Sequence, residues 1–99
     1  MNDDTLYIAE ILHENGGVKC RYSRIMSEDG TRWIRHGLFQ AFHENGTLAS
    51  EGIFENRLES GLWKDFHENG QLAAQGDYKE GKEFGEWQYW SSEGHLDRS

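Results

Sequence analysis

"FHENG" stands at Phe42–Gly46 and again at Phe66–Gly70, and its last four letters stand a third time at His13–Gly16. The copies are spaced by 30 and then 24 residues. Read through His and Glu, the stretch suggests a metal or catalytic motif. Read through Asn-Gly between apolar runs, it suggests a hairpin turn, because a type I′ loop needs positive φ at both central residues. Taking Asn45-Gly46 as a two-residue loop pairs His43 with Leu48, Ala41 with Ser50 and Phe39 with Gly52. Asn69-Gly70 likewise pairs His67 with Leu72, Asp65 with Ala74 and Trp63 with Gly76. Asn56-Arg57 and Glu80-Gly81 then close the opposite ends, pairing Phe54 with Glu59 and Tyr78 with Glu83.

Outward from these turns, "GLFQAFHENGTLASEGIFENRLES" (37–60) superposes on "GLWKDFHENGQLAAQGDYKEGKEF" (61–84), and a shortened copy covers 85–97. A fixed period in the twenties is the mark of a stacked array. Side-chain parity survives every turn of the scheme. One face collects Phe39, Trp63 and Trp87 beside the small residues Ser50, Gly52, Ala74 and Gly76, together with Leu48, Leu72, Leu96, Phe54 and Tyr78. The other, wetter face carries Gln40, Lys64, Gln88, Glu51, Gln75 and Asp77, with Phe42, Phe66 and Trp90 near one edge. Residues 5–36 follow the same rule as a divergent first hairpin. There Asn15-Gly16 pairs Ile11 with Cys20 and Ala9 with Tyr22, and Asp29-Gly30 pairs Ser27 with Arg32 and Met26 with Trp33. Its six extra residues, three per strand, predict that it projects beyond the others. The expectation is a single all-β domain over 1–99, an antiparallel β-meander of repeated hairpins with about seven strands.

Composition agrees. Of the 99 residues only 35 % are apolar, so four Trp, four Tyr and five Phe must carry the packing. Twelve Gly and no Pro favour tight turns and unbroken ladders. The formal charge of −8 disfavours direct nucleic-acid or membrane-surface binding and favours a basic protein partner. "MNDDTLYIAE" has no positive n-region and no long apolar run, so a signal peptide or transmembrane helix is not expected. A lone Cys20 suggests a reducing compartment, and the chain reads as cytoplasmic.

Metal and catalytic readings of HENG fail on geometry and chemistry. Residues one hairpin apart on a sheet are separated by roughly 10 Å, so His13, His43 and His67 form a spaced column. They cannot share a zinc ion whose nitrogen ligands lie about 2 Å away. Cys20 falls mid-strand, no nucleophile elbow is present, and Glu44 and Glu68 are turn carboxylates with nothing to desolvate them. No enzyme, metal or cofactor is expected.

Written as Gly-x-(Trp/Phe)-x-x-(Phe/Trp)-x-x-Asn-Gly-x-Leu-x-x-x-Gly-x-(Tyr/Phe), residues 37–97 resemble the MORN-repeat variant proteins, a group that includes bacterial toxin–antitoxin and immunity-type proteins. The pattern runs through Gly37, Phe39, Phe42, Asn45, Gly46, Leu48, Gly52 and Phe54, then Gly61, Trp63, Phe66, Asn69, Gly70, Leu72, Gly76 and Tyr78. The resemblance implies a β-hairpin array and protein binding, with no catalytic residues to carry over. The leading expectation is an acidic immunity protein or antitoxin that binds and neutralises a toxin domain. The alternatives are a general adaptor or scaffold and a nucleic-acid mimic that inhibits a nuclease complex. The expected partner surface is an acidic band of Glu51, Asp77 and Glu86 beside Gln40, Gln75 and Gln88, with Phe66 and Trp90 as apolar anchors. Trp33 on the first hairpin is a second location. Edge strands near Thr5–Leu12 and Glu86–Ser91 offer a route to a homodimer.

Overall fold

Successive strands pair in sequence order throughout the computed structural model, which describes residues 7–97. The strands are β1 (Tyr7–Leu12), β2 (Val18–Met26), β3 (Trp33–Phe42), β4 (Leu48–Glu55), β5 (Leu58–Phe66), β6 (Leu72–Lys79), β7 (Lys82–Trp90) and β8 (Leu96–Asp97). They make one open antiparallel sheet, and no helix occurs among the described residues. The expected meander is the observed fold. Its eighth strand is a two-residue bridge from Leu96–Asp97 to Trp90 and Tyr89. Thr5 and Leu6 of the expected first edge strand lie outside the described residues.

Two kinds of turn alternate. Asn56-Arg57 (φ 48° and 77°) and Glu80-Gly81 (φ 52° and 83°) have positive φ at both positions, as a type I′ loop requires. They close the expected pairs Phe54↔Glu59 and Tyr78↔Glu83. The Asn-Gly turns are different, which corrects the two-residue loops read from the sequence. Only the glycines Gly16, Gly46 and Gly70 are left-handed there, at 93°, 92° and 90°. The Gly46 N–H donates to the His43 carbonyl at 2.9 Å and the His43 N–H to the Thr47 carbonyl at 2.8 Å. This is a type I turn followed by a left-handed glycine, a three-residue loop. The physical reason is the asparagine side chain: Asn45 Oδ1 accepts the Thr47 N–H at 3.0 Å, an Asx turn that holds Asn45 itself right-handed. His43 therefore faces Thr47, and Leu48 faces Phe42 rather than His43. A one-residue bulge just beyond restores the expected Ala41↔Ser50 and Phe39↔Gly52 pairs. Cross-strand partners share a face, so Leu48, Leu72 and Leu96 side with Phe42, Phe66 and Trp90, opposite to the face expected for them.

The Gly-x-aromatic motif is a second bulge. The register steps from Glu51↔Lys64 to Ile53↔Ser60, and from Gln75↔Gln88 to Asp77↔Phe84, around left-handed Gly61 and Gly85. Two residues are absorbed each time, so parity is unchanged. The bulge delivers Trp63 onto Gly52 and Trp87 onto Gly76, where a Cβ on either glycine would fall inside the indole. The packed centre is small: Phe54, Trp63 and Ala74 are 7 %, 7 % and 6 % exposed. Around it Phe39, Phe54, Trp63, Tyr78 and Trp87 run in contact across the strands, with successive ring centroids 5.1–5.8 Å apart and mostly edge to face. Trp63 Nε1 donates to the Ile53 carbonyl at 3.1 Å and Trp87 Nε1 to that of Asp77 at 3.2 Å. The molecule measures 50 × 36 × 17 Å, a single layer with nothing stacked on either face among the described residues.

The first hairpin departs from the expected lengthening. β2 and β3 have 9 and 10 residues against 8 and 9 for β4 and β5. Most of the extra chain forms the turn Ser27–Arg32, where the Asp29 side chain accepts from the Ser27 hydroxyl (2.6 Å), the Thr31 hydroxyl (2.7 Å) and the Thr31 N–H (3.1 Å). These bonds, that of Ser27 foremost, hold the Asp29 carboxyl down at about 2.

Candidate functional site

HENG acts between repeats. His13, His43 and His67 are each half-buried, and each Nε2 meets the carbonyl of the aromatic residue that precedes the next repeat's turn. The pairs are His13 with Phe42 at 2.9 Å, His43 with Phe66 at 2.8 Å and His67 with Trp90 at 2.8 Å. A carbonyl only accepts, so Nε2 carries the proton in all three. Beside them Asn15, Asn45 and Asn69 donate through Nδ2 to the carbonyls of Glu44 (3.2 Å), Glu68 (3.0 Å) and Ser92 (2.7 Å). The motif is thus a pair of clamps from one hairpin to the next, while its Glu points into solvent. This inter-repeat role is absent from the sequence reading, in which the three histidines are only a spaced column. The signal was the constancy of His three residues before Gly, which a turn alone does not demand. Among the described residues no three His, Cys, Asp or Glu side chains gather closely enough to hold a metal ion.

The wetter face is crossed by one row of paired side chains: Glu10, Arg21, Gln40, Glu51, Lys64, Gln75 and Gln88, each opposite the next. Arg21 bonds Glu10 at 2.7 Å, Gln40 Nε2 donates to Glu51 at 2.8 Å, and Gln75 donates to Gln88 at 3.3 Å. Carboxylates in this row alternate with cations, so Glu51 belongs to a mixed row and not to a continuous acidic band. Asp77 lies one pair further along, between Leu62 and Phe84. Glu86 sits inside the β7 bulge without a ladder partner. Phe66 and Trp90 are half-buried at the ends of β5 and β7, opposite Leu72 and Leu96.

A feature the sequence reading missed runs beside that row. Leu38, Ile53, Leu62 and Phe84 are 44 %, 45 %, 50 % and 58 % exposed, and the register Leu38↔Ile53 and Leu62↔Asp77↔Phe84 puts them on one face. Leu38 and Ile53, with Glu51, Gly52, Leu62 and Lys64, line a shallow depression of about 190 Å³. The visible signal was the Leu of Gly-Leu-Phe and Gly-Leu-Trp at 38 and 62, which lies between two core-building residues and must point away from them. A larger hollow of about 370 Å³ opens at the type I′ turns, among Glu55, Asn56, Leu58, Glu59, Ser60, Tyr78, Lys79 and Glu80. Burial, and then Glu83 and Glu59, push the Tyr78 hydroxyl above its usual range.

Trp33 lies on the aromatic face, far along the first hairpin, 42 % exposed and edge-on to Tyr7 at 5.3 Å. The edge expected over Glu86–Ser91 is partly covered, because β8 pairs with Tyr89 and Trp90 and Ser91 belongs to the following turn. No helix of the described chain is long and apolar enough to cross a membrane.

Residues 35–56 and 59–80 each match the family model described as MORN repeat variant. The matched segments begin just before the left-handed Gly37 and Gly61 and contain one HENG turn apiece, so each match spans one hairpin of this sheet with its bulge. Neither the curated proteins nor the solved structures compared with the chain gave a match.

Proposed function

We propose that this array of MORN-type repeats is a protein-binding module, and that it serves as a cytoplasmic immunity protein or antitoxin that binds a basic toxin domain and blocks it. The observation that carries the binding reading is the exposed apolar stripe Leu38, Ile53, Leu62 and Phe84, on a single-layer sheet with no second layer among the described residues. Solvent-exposed apolar side chains gathered on one face, here Leu38, Ile53 and Leu62 with Phe84 beyond Asp77, are characteristic of interaction sites. Glu51 and Asp77 beside the stripe, Glu86 further out, and the chain's charge of −8 support a basic partner, since complementary charge raises association rate and suppresses wrong partners. Gln40, Gln75 and Gln88 supply neutral donors and acceptors along the same row, and Phe66 and Trp90 flank it.

The alternative is an adaptor or scaffold whose repeated surfaces take a different partner, and leucine at the same position of both full repeats, Leu38 and Leu62, favours it. Cross-linking followed by mass spectrometry from native cells separates the two. A toxin domain as the principal cross-linked protein supports the immunity reading, whereas a structural or signalling assembly with no toxic member overturns it. With the partner in hand, Glu51→Lys with Asp77→Lys should slow association and flatten its salt dependence, and Phe84→Ala should mainly speed dissociation.

A further inference from the structure

On the aromatic face of the first hairpin, Arg24 and Arg35 are direct cross-strand partners. Like charges directly opposite on one face oppose each other's presence, and in a chain with 18 acidic residues against 10 basic ones a nearby carboxylate is the ordinary remedy. None is within ion-pair distance: among the described residues the single salt bridge joins Arg21 to Glu10, on the opposite face. The Nε of Arg24 is buried with no acceptor among those residues. What holds the two guanidinium groups instead is aromatic. Arg24 lies over Trp33 at 4.2 Å from the ring centre, and Arg35 over Tyr22 at 5.0 Å and Phe54 at 5.6 Å. The rings hold the two guanidinium groups in place, and no described residue accepts from their terminal N–H groups, which suit a planar oxyanion. Tyr7, Met26 and Trp33 surround the pair at 51 %, 36 % and 42 % exposure, and exposed Trp, Tyr, Met and Arg gathered together are the composition of a binding hot spot.

We propose that Arg24 and Arg35 form a carboxylate-binding anchor for an acidic segment of a partner protein, with Trp33 and Tyr7 as its apolar wall. The proposal rests on the reading of the protein as a binding module and adds a second surface of opposite electrostatic character on the other face of the sheet. A carboxylate at either guanidinium group accepts from donors that nothing described accepts from, and offsets their mutual repulsion. A nucleic-acid strand is the poorer occupant. Its row of phosphates would also have to pass the acidic turns of a protein carrying −8, whereas one or two carboxylates need meet only the arginines.

The test is a titration of the full chain followed by the Arg Nε–Hε and Trp33 indole resonances. The probes are amidated hexaglutamate, amidated hexaglutamine, inorganic phosphate and an oligothymidylate of ten nucleotides. Hexaglutamate should give saturable shifts of Arg24, Arg35 and Trp33, and bind at least about tenfold more tightly than hexaglutamine. The double variant Arg24→Gln, Arg35→Gln, shown folded by its unchanged Trp63 indole signal, should lose at least that factor. Arg24→Lys, Arg35→Lys, which keeps the charge and the fold but not the planar fork, should lose part of it. Unchanged binding in the glutamine variant, equal binding of hexaglutamine, or no saturable shift with hexaglutamate overturns the anchor. Tighter binding of phosphate or of the oligonucleotide overturns the choice of a carboxylate. A cellular partner cross-linked equally well to the glutamine variant sinks the anchor and leaves the binding module standing. Saturable hexaglutamate binding with no cellular partner captured does the reverse.

Discussion

Where β5 crosses β4, the Trp63 indole lies flat on Gly52; where β3 crosses β2, Phe39 faces Tyr22 and the two rings sit side by side, 6.4 Å apart. Both places are one bulge away from a left-handed glycine, Gly61 in the first case and Gly37 in the second. The regular repeat buries a large ring by removing the side chain beneath it. The first hairpin keeps a side chain on both strands, buries less, and is left with exposed Trp33, Tyr7 and two stacked arginines. The same supersecondary unit thus yields a packing element in one place and a surface element in the other, and the choice turns on whether the position opposite the bulge aromatic is Gly or Tyr.

That contrast is most sharply broken at the indole. Trp63→Ala should cost about 3–5 kcal/mol, as truncation of a buried aromatic does, while Phe39→Ala, half-buried, should cost clearly less. Urea melts giving the same loss for both would mean that the two regions pack alike. Next in size is Gly52→Ala, which places a methyl in the space of the Trp63 ring and should destabilise by about 1–3 kcal/mol or more. Adding a methyl at Gly46, where nothing lies within 4 Å, should cost only the strain of its left-handed backbone. His67→Ala comes third. It leaves the Trp90 carbonyl without its donor, a loss of roughly 1–2 kcal/mol, against near-neutral Glu68→Gln in the same turn. Equal effects of the two would remove the clamp.

The type I′ turns offer a gain instead. Arg57 holds φ 77° where Glu80-Gly81 places a glycine, so Arg57→Gly should raise stability by up to about 1 kcal/mol, seen as a higher urea midpoint. The smallest effect belongs to Asp29. Its folded value is lowered from 3.8 to about 2, so its contribution is present in full above the unfolded value and disappears as pH falls through about 2. A carboxyl titration by NMR should show the low midpoint, and Ser27→Ala should move it up. The residue is solvent-exposed, so the change in melting midpoint with pH should be slight.

The sheet was legible because its two requirements are local. Period-two alternation places Phe39, Trp63 and Trp87 on one face, and a turn dipeptide, Asn-Gly, Asp-Gly, Glu-Gly or Asn-Arg, marks each reversal. The bulges were not legible, since Asn-Gly serves both a two-residue loop and a type I turn with a left-handed glycine. The two single-residue errors at Thr47 and Ala49 cancel, so the distant pairs came out right for a reason the sequence does not display. The clamp was hidden because His67 and its acceptor on Trp90 are 23 residues apart, and a motif read within one repeat has no view of the next. The Leu38–Phe84 stripe was hidden by the opposite habit: Gln, Lys and Glu on that face made it look uniformly wet. The partner surface as a whole was legible only as a choice of face, because composition orders a sheet's two sides but does not say which of them another molecule prefers.

The clamps also give the array a direction. Each hairpin donates forward, from His13 and Asn15 to the second turn, from there to the third, and from His67 and Asn69 to the turn at Ser91–His95. That fourth turn receives both bonds, yet carries Ser91 and Glu93 where a donor His and Asn would stand. Treated as a one-dimensional lattice of coupled units, the molecule has a coupling constant that is finite between its first four turns and much reduced at the fourth site. Fraying should therefore be unequal, with the β7–β8 end opening to hydrogen exchange before β4–β6. A fifth unit appended there would attach weakly until Ser91→His and Glu93→Asn supplied the missing donors.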